Sequence, residues 1–403
     1  MKTRDPGVML PLPLGDQMPT AYIVDAIRTP IGKRKGGLAH IRPDDLAAVP
    51  LQGLVARTGV NAAAIEDVIM GCVTQVGEQG LNIGRTAPLI AGFPKEVTGT
   101  SVNRMCGSSQ QAVNFAAMAV MSGAHDLMIG AGVENMSRVE MGSDMFYKGE
   151  PKMPSEKLTW RYTFVQQGIS AELVAQKFDL ARPELDAFAL ESHRRAAAAQ
   201  DAGHFAREIV GVDTVDEDGN KTTITSDEGI RRGGTLAKLG SLRPAFQEDG
   251  VITAATSSQI SDGAAALLIA SEDAVRRYGL TPRAKITAMS VAGVDPTIML
   301  TGPIPATRKA LAKAGMTMSD IDIFEVNEAF ASVVLGWAKA MDADLDLVNI
   351  YGGACALGHP LGASGSRLLT TLLNALETED KQVGLSTMCI GFGQGIATII
   401  ERV

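Results

Sequence analysis

The chain has 403 residues, a length that predicts roughly two to three domains. Hydrophobic residues make up 45% and charged residues 20%, enough for a sizeable core, while 43 glycines and only 4% aromatics favour tight α/β packing over an aromatic-rich sandwich. A net charge of −8 with no basic run excludes nucleic acid as the expected partner, and an anionic small ligand would need a local cluster of positive charge.

Residues 1–19 carry early charges and four prolines (Pro6, Pro11, Pro13, Pro19) and lack the apolar core of a signal peptide, so a flexible extension is expected. No apolar run reaches transmembrane length, and no membrane partner is expected. A strand is predicted over 22–26 and a helix over 43–58, opened by Pro43 and ended by Gly59. Strands over 67–71 and 98–102, an Ala/Met-rich helix over 108–122 and a strand over 126–131 follow, an alternation that signals α/β layers. Residues 138–259 are more polar and turn-rich, with an amphipathic helix over 182–200 and a charged stretch over 216–221, and read as an insertion. The α/β pattern then resumes with strands over 264–270 and 284–291, a helix over 306–314 and a strand over 323–326. Helices from Ala329 and Ala363 and strands over 383–388 and 396–402 close the chain.

A faint internal repeat runs through this order. Gly59 ends a helix and precedes Ile65 and an apolar strand; Gly315 and Ile321 do the same, 256 residues on. Gly107, Ser108 and Ser109 open a helix, as do Gly362, Ala363 and Ser364, at an offset of 255 that Asp126 and Lys381 keep. Three matches in order predict two copies of one α/β unit: 20–137 with 260–283 as the first, 284–403 as the second, and 138–259 inserted.

Cys72, Cys106, Cys355 and Cys389 form no CxxC pair, so neither structural zinc nor a disulfide scaffold is expected, and free thiols in the cytoplasm are the simplest reading. Cys106 lies between a β-type run and a helix start, where the positive end of the macrodipole favours thiolate; the alternative is a buried structural cysteine. His359 sits on a Gly/Pro loop before a helix, a placement that suits a general base for a thiol or a capped loop histidine. Cys389 ends an apolar strand followed by Gly391 and Gly393. A second thiol there could act as acid or base, and the glycine N–H could stabilise an oxyanion, although a strand-terminal cysteine is more often structural. Asn327 and Glu328 stand at a strand-to-helix junction, where Asn327 could orient a water or a carbonyl, or either could merely cap the helix. The Ser-rich run around Ser258 could touch a polar ligand chain or be an ordinary turn, and Cys355 reads as a small core filler.

Together the segments VNRMCGSS, VNEAF, GGACALGHPLGASG and CIGFGQG, in this order, closely resemble the thiolase family. RTPIGK, GVENMSR, DEGIRRGGTLAKL and LRPAF are similar to thiolase segments as well, and the resemblance covers about residues 20 to 403. It implies two similar βαβαβαββ halves stacked in five layers, α-β-α-β-α, with a loop domain inserted in the first half. It also implies roles: Cys106 as the acylated nucleophile, His359 as its base and a donor of one oxyanion hole, and Asn327 as holder of that hole's water. Cys389 would be the acid/base at the substrate α-carbon or the leaving thiol, and the N–H groups of Cys106 and Gly391 a second oxyanion hole. Arg231 and Ser258 would contact coenzyme A near its nucleotide and its pantetheine, with Phe246 packing beside the ligand.

The implied activity is reversible thiolytic cleavage of 3-ketoacyl-CoA to acetyl-CoA and a shortened acyl-CoA. The alternatives are condensation of two acetyl-CoA and, from another class, a non-catalytic acyl-CoA-binding scaffold subunit. Coenzyme A enters as substrate and product with no tightly bound cofactor and no metal, and a homodimer or homotetramer is expected. Departures from the family pattern are Phe392 where many members have Gly, GSS where GSG is usual, Thr256 where many have Asn, and Gln166 and Gln167 in place of His-Met. They bear on acyl size; the segments CVTQVGEQ and TSSQISDGAA are similar to those of degradative members acting on larger or branched acyl groups.

Overall fold

The structure is a computed structural model that describes residues 19–147, 149–151, 155–215 and 219–403. Residues 1–18 of the expected extension and 216–218 of the charged stretch lie outside the described residues.

Nine strands make one continuous ladder: β1 (Tyr22–Arg28), β2 (Asp67–Gly71), β3 (Thr98–Val102), β4 (Leu127–Asn135), β5 (Ser261–Ala270), β6 (Ala284–Gly293), β7 (Ile323–Val326), β8 (Val383–Ile390) and β9 (Gln394–Arg402). Their order is β7-β8-β9-β6-β1-β5-β4-β2-β3, with the short strand Gly32–Lys33 pairing β5 off this path. The order contains the predicted duplication, since β6-β9-β8-β7 repeats β1-β5-β4-β2. The copies meet at only two register pairs, Tyr22 with Lys285 and Ile23 with Ala284. Asp67 and Ile323, Ser108 and Ser364, and Leu127 and Val383 begin matched elements, each pair 256 residues apart. The offset of 255 expected for the helix start and the following strand is therefore corrected to 256, because Gly107 pairs with Ala363 as the residue before each helix.

The main helices are α1 (Pro43–Thr58), α2 (Ser108–Met121), α3 (Gln167–Lys177), α4 (Arg182–Asp201), α5 (Pro303–Ala314), α6 (Ala331–Met341) and α7 (Ser364–Thr378). Packing follows strand alternation. Leu267 and Ile269 of β5 turn to the cluster holding Ala112, Val113 and Ala116 of α2 and Leu369, Leu372 and Leu373 of α7. Ala264, Ala266 and Leu268 turn the other way, to Leu46, Leu51 and Leu54 of α1. In the second copy Ala397 and Ile399 of β9 face Ala306, Ala310 and Leu311 of α5. The result is α1, sheet, α2 with α7, sheet, α5: the five expected layers, with every residue of β5 buried. Leu372→Ala in the middle layer would lose about 2–5 kcal/mol through the cavity it leaves.

Some elements run beyond their predicted ends. β4 continues to Asn135 and β5 starts at Ser261, because polar residues at these ends, Glu134, Asn135 and Asp262, are buried with hydrogen bonds. α6 starts at Ala331 rather than Ala329. Between β4 and β5 lie α3, α4 and two short two-stranded ribbons. This segment is tied to β1 by Arg28, whose buried guanidinium pairs with Glu208 and Asp227, each at 2.6 Å. No helix among the described residues is long and apolar enough to cross a membrane.

Candidate active site

Cys106 stands on a tight turn between β3 and α2. Met105 takes a left-handed conformation, φ +46°, which costs an L-residue roughly 1–2 kcal/mol. Local hydrogen bonds hold it there: Met105 N donates to Asn103 Oδ1 at 2.8 Å, and Ser108 Oγ donates to Met105 O at 2.6 Å. Gly107 packs closely, since a Cβ there would lie 2.5 Å from Ile390 Cδ1 and displace that side chain. That contact brings the turn against the end of β8, beside Cys389 and Gly391.

The N–H groups of Gly391 and of Cys106 itself and the side-chain amide of Gln167 act on the Cys106 thiol in the sense that favours the thiolate. Burial nevertheless outweighs these donors and pushes the thiol up to about 11. The expected favouring of thiolate at a helix start is outweighed here: burial raises the thiol further than the neighbouring N–H donors lower it. Cys389 is also buried and raised, by desolvation first and by Cys106 second, so the two thiols are electrostatic neighbours.

His359 is buried on the loop before α7. The Ser364 hydroxyl donates to Pro360 O at 2.8 Å and so accepts from His359 Nδ1. That assigns the ring proton to Nδ1 and leaves Nε2 unprotonated, accepting from Asn327 Nδ2 at 3.3 Å. Burial, reinforced by the Arg367 charge, pushes His359 down to about 3, so the ring is neutral. Asn327 is fixed at the end of β7 by its N–H to Thr387 O at 3.0 Å, and its Oδ1 is buried without a partner among the described residues.

Two buried glutamates clamp the His359 loop, and sequence reasoning missed both roles. Glu134 accepts from Val73 N (2.9 Å), Thr74 N (3.1 Å), Gln79 Nε2 (2.7 Å) and Gly362 N (2.9 Å). Glu328 does not cap α6, whose N-cap is Phe330; it accepts instead from Ser192 Oγ (2.7 Å), Asn349 Nδ2 (2.9 Å) and Cys355 N (2.9 Å). The available signal was a carboxylate inside an apolar strand or at its end, which burial obliges to find donors. Cys355 itself is buried, as the core-filler expectation had it.

Ser258 donates its N–H to Ala329 O at 2.9 Å, and the adjacent Gln259 O accepts from His359 N at 3.2 Å, so this segment runs between the Asn327 and His359 loops. Phe246 meets Phe330 edge-on, ring centroids 5.8 Å apart, and lies against Gly168, next to Gln167. Arg231 is not in this cluster. It lines a groove of about 430 Å³ between α4 and the segment 231–236, with Arg194, Arg232 and His193. Arg194 pairs with Glu191 and Arg232 with Asp201, whereas Arg231 has no ion pair among the described residues. Its N–H donates to His193 Nδ1 at 3.0 Å.

Residues 21–273 match the family model for the thiolase N-terminal domain and residues 280–402 that for the thiolase C-terminal domain. A steroid 3-ketoacyl-CoA thiolase of Mycobacterium tuberculosis is 49% identical over 96% of this chain and 95% of its own length. A 3-ketoacyl-CoA thiolase of Psychrobacter cryohalolentis is 48% identical over 94% of this chain and 97% of its own. The acetyl-CoA acetyltransferase of Bacillus anthracis superposes with a TM-score of 0.89 at 36% identity, and human mitochondrial 3-ketoacyl-CoA thiolase with 0.88 at 36%; each match covers 96% of this chain and all of the other. With both domain models spanning nearly the whole chain and relatives close to half identical, the chain belongs to the thiolase family.

Proposed function

We propose that the chain cleaves 3-ketoacyl-CoA by thiolysis, through an acyl group carried on Cys106. One observation carries the assignment: Cys106 neighbours the second thiol Cys389, and a neutral His359, its Nε2 unprotonated and held by Asn327 Nδ2, stands on the adjoining loop. In the proposed sequence Cys106 passes its proton to His359 Nε2 as the sulfur attacks the 3-keto carbon. A thiol near 11 and an imidazole near 3 disfavour a resting ion pair, so transfer and attack are coupled. The C2–C3 bond breaks, Cys389 protonates the enolate, and acetyl-CoA leaves. Cys389 then takes the proton of an incoming CoA thiol, whose sulfur attacks the acyl-Cys106 thioester. Cys106 departs and recovers its proton from His359. The N–H groups of Cys106 and Gly391 stabilise the tetrahedral oxyanions on Cys106; His359 and a water on the unpartnered Asn327 Oδ1 stabilise the enolate.

Arg231 is the proposed contact for the anionic nucleotide, supported by its unpaired charge in a groove, with Ser258 beside the pantetheine and Phe246 as packing. The same reading divides the chain into a first half of 20–137 with 260–283, an inserted loop domain of 138–259 and a second half of 284–403. It takes the enzyme to be a cytoplasmic homodimer or homotetramer. Free buried cysteines support the compartment, and light scattering reads the assembly. Thiolysis is preferred over condensation because the relatives near 48% identity carry the 3-ketoacyl-CoA thiolase name. Incubation with acetyl-CoA followed by peptide mass mapping is expected to find acetyl on Cys106; acetyl found only on Cys72 or Cys355 sinks the assignment.

A further inference from the structure

Phe392 combines two features that core packing does not produce. Its backbone is left-handed, φ +61°, which an aromatic residue adopts only under constraint, and 46% of its surface is exposed. Burial gives it little in return for the strain, and glycine would hold the same turn without a Cβ penalty. Strain kept at the edge of a reacting centre points to a use there.

The ring's setting indicates that use. Phe392 meets Phe164 edge to face, centroids 5.5 Å apart and planes at 69°. On one side Phe392 follows Gly391, where a Cβ would lie 3.5 Å from Gln167 Nε2 and 3.7 Å from Cγ of Met105, the residue before Cys106; on the other, Phe164 lies three residues before the same Gln167. The loop around Val294 and Pro296 closes the floor, in contact with Gly393, and Thr297 Oγ1 donates to Thr163 O at 2.8 Å. Val165, Ile298 and Phe246, all partly buried, pack onto the cluster that contains Cys389, Leu300 and Phe330. Apolar packing therefore continues from the second thiol through this cluster to Val165, the chain neighbour of Phe164.

We infer that Phe392 and Phe164 form the outer wall of the acyl site and select 3-ketoacyl-CoA substrates whose acyl group is bulky, apolar and ring-bearing over short ones. The inference rests on the thiolase reading. An acetoacetyl group ends one carbon past the carbonyl that Cys106 attacks, so it stops short of the pair. A larger acyl body must leave the two-thiol cleft and lie against the rings. One ring face and one ring edge form a corner, which a rigid ring fills with less loss of conformational freedom than a flexible chain.

The test measures kcat/KM for thiolysis of acetoacetyl-CoA and of a 3-ketoacyl-CoA ending in a cyclohexyl ring. It uses the full chain, Phe392→Gly and Phe164→Ala, with a melting curve for each. The unmodified chain is expected to prefer the ring-bearing substrate, and the preference to fall about tenfold in each variant. Phe392→Gly is expected to melt no lower than the parent, because relief of the left-handed strain offsets the loss of the ring contact. A preference unchanged within about twofold in either folded variant overturns the inference, as does a lowered melting point with unchanged preference, which marks Phe392 as structural. If Phe164→Ala does not fold, Phe392→Gly alone decides. Efficient cleavage of acetoacetyl-CoA with no preference for the ring overturns this inference and leaves the thiolase reading standing. Cleavage of neither substrate overturns both.

Discussion

In the first copy of the repeated unit, β3 passes into α2 through residues 103–107 alone, and that short turn carries Cys106. In the second, Val348 bridges to Phe324 where β3 pairs with β2, but residues 349–363 separate it from α7, and this long loop carries His359. The ends of β4 and β8 diverge in the same way. Glu134 and Asn135 hold loops at the end of β4, whereas Cys389 lies at the end of β8 with Gly391 just beyond it, beside Cys106. The duplication thus presents two equivalent frames, and the proposed chemistry divides between them: Cys106 on a strained turn from one, His359 on a clamped loop and Cys389 from the other. Strained turns can be short because the backbone itself aims the side chain; a long loop needs external clamps, which is what Glu134 and Glu328 provide.

The comparison breaks first at Cys389. If the second copy supplies the α-carbon acid, Cys389→Ala should lower thiolysis by about a thousandfold while Cys106 is still acetylated by acetyl-CoA. Near-normal turnover would remove this thiol from the mechanism. A clamp in the first copy is expected to matter to a loop in the second, so Glu134→Ala, which strands four buried N–H donors, should cost about 3 kcal/mol in urea unfolding and lower kcat as well. A stable, fully active variant would mean the His359 loop holds itself. Arg231→Ala, remote from the division of labour, should raise the KM for CoA substrates several-fold with kcat little changed, because a nucleotide contact binds ground and transition states alike. Collapse of kcat would put Arg231 in the chemistry. The smallest expected effect is on pH. His359 is lowered to about 3, so its neutral, basic form persists on acidification until the pH falls toward that value. Log kcat/KM should therefore have no acid limb centred near the ordinary 6.5 between about pH 5 and 8, and such a limb would show that His359 titrates normally.

Much of this was legible in the sequence, for physical reasons that differ by element. α1 could be bounded because Pro43 and Gly59 mark its ends, the latter left-handed at φ +69°. β2, β3 and β7 are short apolar or β-branched runs between clear turn residues, and their predicted limits match. β4 and β5 were cut short because a buried carboxylate looks like a loop residue until its donors, distant in sequence, are known. Cys106 and Asn327 stand out at strand-helix junctions, His359 on a Gly/Pro loop before a helix and Cys389 at a strand end, but the state of the thiol does not, since desolvation depends on everything packed around it. Gln166 and Gln167 looked alike in the sequence. Gln166 is exposed at the N-cap of α3 while Gln167 points to Cys106, a distinction made by the helix start.

The abutment of α2 and α7 near the site has a mechanical consequence. Ser366 N donates to Ser109 Oγ at 2.9 Å, and a Cβ on Gly365 would lie 2.3 Å from Gln110 N, so each helix start leaves the other no room. A mutation enlarging either one therefore shifts the turn that carries Cys106 and the loop that carries His359 together. Substitutions with least effect on this abutment lie at the solvent-facing rim, where Phe392 stands.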